Sequence, residues 1–248
     1  MELLVTLRML TLVARLLLVA AVSRAIPRRS EGGAAPERLV WVTLAGQYTL
    51  LAFTTLVVEA FWLVKSIKPA SPLVPIGQAV YSPIYLFNAT ISALVPFLLT
   101  AWLIPVALGR RLANVGISGV VVVALVALVT GAAQDWTALM SWTQLLAFID
   151  IGGYLILGGL VFLGHVRRLN PYIMGLLATA GVFAVLIPIQ AEFFELVGRS
   201  NVRRIWHINQ ALQLMEVAVE LLIVLAYINS TAPKKSRSPV AQELGLGH

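Results

Sequence analysis

Residues 205–228 read IWHINQALQLMEVAVELLIVLAYI. The stretch is long and apolar enough to cross a bilayer, yet it carries Asn209, Gln213, Glu216 and Glu220 at i, i+4, i+7 and i+11. At 100° per residue these four fall within an arc of about 60° on one helix face. A carboxylate near mid-membrane costs several kcal/mol unless it is protonated, paired or facing water, so this face is predicted to turn inward. A span with one lipid-intolerant face implies neighbours that cover it, and hence a bundle.

The rest of the chain supplies those neighbours. Of 248 residues, 59% are apolar and only 12% are charged, and the mean hydropathy is +0.90, far from an ordinary soluble domain. A spanning helix needs roughly 20 mostly apolar residues. Seven such stretches can be drawn, at 4–24, 39–64, 82–108, 115–133, 142–164, 171–197 and 205–228. The predicted fold is therefore all-α, a polytopic seven-helix transmembrane bundle over residues 1–230, followed by a polar tail over 231–248.

Basic residues set the predicted orientation. With the N-terminus outside, Arg24, Arg28, Arg29, Arg38, Arg110, Arg111, Arg167, Arg168, Lys234, Lys235 and Arg237 lie in the cytoplasm. Lys65, Lys68, Arg199, Arg203 and Arg204 lie outside, with Arg8 and Arg15 inside the first span. This asymmetry places the C-terminus in the cytoplasm of a multi-pass cell-membrane protein. The net charge of +7 then reads as topology and contact with anionic lipid headgroups. No soluble module exists to present a basic face to nucleic acid. The small residues Ala20, Ala21, Ser23 and Ala25 would suit signal cleavage, but Arg15 interrupts the apolar region and no basic segment precedes it, so the first span is read as retained.

Shaping residues are frequent. Pro69, Pro72, Pro75 and Pro83 make Lys65 to Pro83 an expected non-helical rim on the outer side. Pro96, Pro105 and Pro188 predict kinks. Gly152 and Gly159 share a face of the fifth span and are expected to let a neighbouring helix of the same bundle approach closely.

Depth then groups the ionisable residues. Arg15, Glu216 and Glu220 lie near mid-membrane, where Arg15 is the expected charge partner of one of the two acids. Glu59, Asp150 and Glu192, with His207, are placed towards the outer ends and suggest an acidic vestibule. His207 stands beside Trp206, which suits an interface anchor or an axial ligand.

Several chemistries are excluded. The chain has no cysteine, which removes disulfides, thiolate metal sites and cysteine nucleophiles. His165 and His207 fall at opposite ends of the bundle, so an intramembrane zinc hydrolase lacks converging ligands. Asp150 is the single aspartate within a span, one short of an aspartyl dyad. The chain resembles the microbial rhodopsins in helix count and topology alone, and no lysine lies between Lys68 and Lys234, so no span after the second can carry a retinal Schiff base.

Three functions remain. The first is binding or transport of a proton, cation or small solute, with Asp150, Glu216, Glu220, Gln213, Asn209, Glu192 and Glu59 as ligands. The second is a seven-helix sensory or ligand-binding protein without covalent retinal. The third is a structural subunit held by other membrane proteins, its polar residues fixing helix register. An enzymatic role is the weakest fit.

Overall fold

A computed structural model describes residues 2–26, 35–68, 70–104, 106–131, 135–164, 170–196 and 202–231. It contains seven α-helices: α1 (Glu2–Ala25), α2 (Ala35–Ile67), α3 (Leu73–Leu103), α4 (Ala107–Val129), α5 (Trp136–Phe162), α6 (Pro171–Leu196) and α7 (Val202–Thr231). All seven are long and apolar enough to cross a membrane. The chain is an all-helical, polytopic transmembrane bundle.

Four helix boundaries differ from the sequence expectation for local reasons. Most of the expected proline-rich rim is helical, because α3 begins at Leu73 and takes in both Pro75 and Pro83. Pro75 sits in the first turn, where its missing N–H has no intrahelical acceptor to lose. Ser71 closes this connection by accepting the Leu73 N–H at 3.3 Å. At its far end α3 stops at Leu103, short of the expected 108. Ile104 precedes Pro105 and is extended, with φ −103° and ψ 100°, as the clash with a following proline ring demands. The fourth helix accordingly starts at Ala107 and includes Arg110 and Arg111. The fifth starts at Trp136, just after Asp135, a residue type favoured at helix N-caps, whose carbonyl accepts the Leu139 N–H at 2.9 Å. Starting α5 six residues before the expected 142 moves Asp150 from the outer third to the middle of its helix.

The helices pack as a ring. α1 lies against α2 and α7, α2 against α3, α3 against α5, α5 against α6, and α6 against α7, which closes a circuit of six. α4 stands outside it, packed on α3 and α5, with Val115, Val122, Leu125 and Val129 turned away from the protein. Two apolar cores result. One fills the ring at the α1 C-terminal end, around Leu18, Trp41, Leu99, Leu157, Val224 and Tyr227. The other joins α3, α4 and α5 around Phe97, Val120, Leu139 and Leu146.

At the filled end the ring is tied by aromatic and polar contacts. Trp41 of α2 stacks on Tyr227 of α7 at 4.8 Å, and Tyr172 of α6 meets Tyr227 edge-on at 5.7 Å. Asn170 caps α6 by accepting the Tyr172 N–H at 3.0 Å, and its amide donates to Glu37 of α2 at 3.0 Å.

The close approach expected at Gly152 and Gly159 is not made there. A Cβ at either would meet nothing within 4 Å, because this face of α5 points away from the bundle. The tight contact is at Gly153, where a Cβ would lie 2.6 Å from Pro96 Cγ. Gly116 of α4 lies directly against the Phe97 ring, which leaves no room for a Cβ. Overpacking costs about 1–3 kcal/mol, so Gly153→Val is expected to lower the resistance of the bundle to SDS unfolding by that amount. Gly152→Ala is expected to leave it near wild type; equal losses in both variants would contradict the packing described.

Candidate functional site

The polar stripe of α7 is turned into the ring. Glu220 is 3% exposed and Val217 and Val224, which share its face, are buried. Asn209, Gln213 and Glu216 are half-buried, whereas Met215 and Leu222 on the opposite side are 56% and 66% exposed. Tyr48, Thr55, Glu59 and Trp62 of α2 stand on one face by the same helical arithmetic, and they oppose the stripe.

Arg15 of α1 reaches into this interior between the two. Its Nη1 donates to Thr55 Oγ1, and its Nη2 donates to Gln213 Oε1 at 3.4 Å. Glu216 and Glu220 both lie within its electrostatic reach, but neither forms an ion pair with it. The expected direct pairing of Arg15 with one of these acids is therefore replaced by two neutral acceptors. Tyr48 stands close to Glu220. Tyr154 of α5 stands close to Asp150, Glu220 and Glu216.

Asp150 joins this central group and not an outer vestibule. It lies within the electrostatic reach of Glu216, and its buried Oδ1 has no hydrogen-bond partner. Three carboxylates from α5 and α7 thus share the ring interior with one guanidinium. They do not converge as a chelate: among the described residues no three His, Asp or Glu side chains could hold one metal ion.

Glu59 is committed elsewhere. It accepts from Arg8 Nε at 2.8 Å, with the two side chains only 13% and 10% exposed for Arg8 and Glu59. Arg8 also lies 5.4 Å from the centre of the Trp62 ring, and Lys65 lies 4.9 Å from it. Tyr81 of α3 is close to both members of the Arg8–Glu59 pair. Thr54 and Asn88 tie α2 to α3 at 2.8 Å. Glu192 belongs to α6, but its side chain is outside the described residues. His207 is half-buried near the start of α7.

The sequence reading missed Thr55, Tyr48, Tyr154 and the Arg8 partner of Glu59. A signal for the last of them exists: Arg8 and Arg15 are seven residues apart, so both must face the same neighbour. Thr55 and the tyrosines give no such signal, because neutral residues in a span carry little hydropathic cost.

These features define a multi-pass helical membrane protein with a polar interior enclosed by a ring of six helices. Compared with protein-family models, curated proteins and solved structures, the chain matches none of them.

Proposed function

We propose that this chain is a cell-membrane protein that binds a proton or small cation at Asp150, Glu216 and Glu220 and carries it across the bilayer. The N-terminus lies outside and the tail over 231–248 lies in the cytoplasm, so the polar half of the ring faces outward. The observation that supports this reading most is the charge balance of the interior. Arg8 is consumed by Glu59, which leaves, among the described residues, three interior acids against Arg15 alone. Uncompensated charge at that depth costs several kcal/mol, and protons or a bound cation relieve it. Asn209 and Gln213 extend the polar surface from the carboxylates towards the α7 N-terminus, where a solute would enter.

The test is flux in proteoliposomes holding a pH-sensitive dye, with a potassium diffusion potential imposed by valinomycin. Wild-type protein is expected to admit protons, or thallium(I) when that ion is the reporter, faster than empty vesicles. Asp150→Asn and Glu216→Gln are each expected to slow uptake by about tenfold or more, equivalent to ~1.4 kcal/mol on the rate-limiting barrier, without loss of helicity. Wild-type rates equal to those of empty vesicles for both ions would exclude this function.

A further inference from the structure

We propose that Thr55, Gln213 and Asn209 are positioning residues that hold Arg15 off Glu216 and Glu220, so that a fixed internal cation compensates the carboxylates without occupying them. The inference rests on the cation-binding reading above and adds to it the device that keeps the carboxylate oxygens free for an incoming ion.

The hydrogen-bond directions are determined by chemistry. A guanidinium donates only. Thr55 donates its own proton to the Leu51 carbonyl at 2.6 Å, which leaves its lone pairs for Arg15 Nη1. Gln213 donates through Nε2 to Asn209 Oδ1 at 3.2 Å, which turns its Oε1 towards Arg15 Nη2. Each acceptor is thus oriented by a second bond on its own helix, and the two acceptors come from helices on either side of α1.

What makes the arrangement informative is the contact it avoids. Arginine and carboxylate in a low-dielectric setting gain from short, bidentate pairing, and Glu216 and Glu220 are near enough to be felt by Arg15. Even so, Arg15 forms no ion pair with either acid, whereas Arg8 is paired with Glu59. Without the two neutral acceptors, Arg15 would be free to close onto the acids and compete with any external cation.

The proposal makes a prediction about reversal. In proteoliposomes, Thr55→Val combined with Gln213→Leu is expected to lower proton or thallium(I) uptake by about tenfold, the scale of a coupled pair. Adding Arg15→Gln to those two changes is expected to restore uptake to the level of Arg15→Gln alone, because the competing cation is gone. Thr55→Ser keeps the acceptor and is expected to behave as wild type, which guards against a loss that merely reflects misfolding. Uptake that survives Thr55→Val with Gln213→Leu, or that is lost equally with and without Arg15→Gln, overturns the positioning role while leaving cation passage intact. Wild-type vesicles that pass neither ion overturn both readings.

Discussion

Glu59→Ala is expected to destabilise the bundle by about 3–5 kcal/mol, the cost of stranding one member of a buried ion pair. Arg8 would keep its charge inside the α1–α2 contact, with the Trp62 ring at 5.4 Å as a much weaker substitute. The paired change Arg8→Met with Glu59→Leu removes both charges at similar volume and is expected to recover most of the loss, since such replacements are often neutral or better. The helical circular dichroism signal during SDS titration reads both variants. A single variant as stable as wild type would mean that the pair is solvated and not buried.

Trp41→Ala should be comparably severe. Trp41 is fully buried, and its removal leaves a cavity between α2, α6 and α7 where the Tyr227 ring loses its stacking partner. Truncations of this size cost about 3–5 kcal/mol. Because the Trp41 Nε1 has no hydrogen-bond partner, Trp41→Phe forfeits packing but no polar contact, and is expected to cost under about 1.5 kcal/mol. The same SDS titration separates the two. A large loss in Trp41→Phe would show that the indole N–H is bonded after all.

The number of spans was legible because twenty-residue apolar runs are forced by bilayer thickness. So was the inward face of α7, because Glu216 and Glu220 on a lipid face would be prohibitive. Helix ends were less legible. Pro75 looked like a breaker but occupies a first turn that tolerates it, while the end of α3 is set at Ile104 by the following proline. The start of α5 at Trp136 puts Asp150 near mid-helix, within the electrostatic reach of Glu216. The partners of Arg15 were not legible at all. Opposite charges on two helices suggest a pair, but which atoms meet depends on the relative rotation and height of α1, α2 and α7, and hydropathy carries no information about either.

The ring closes between the first helix and the last, which bears on how the chain is made. Arg15 and Gln213 are 198 residues apart. At about 5–20 residues per second of synthesis, α1 waits on the order of ten to forty seconds for α7. Arg8 and Arg15 do not wait so long for a partner. Arg8 meets Glu59 only 51 residues later, and Arg15 meets Thr55 after 40. Once α2 has emerged, the α1–α2 hairpin satisfies one contact of each arginine by itself and can enter the bilayer as a unit. The closing helix then completes a surface that α1 and α2 have kept ready while the four helices between were made.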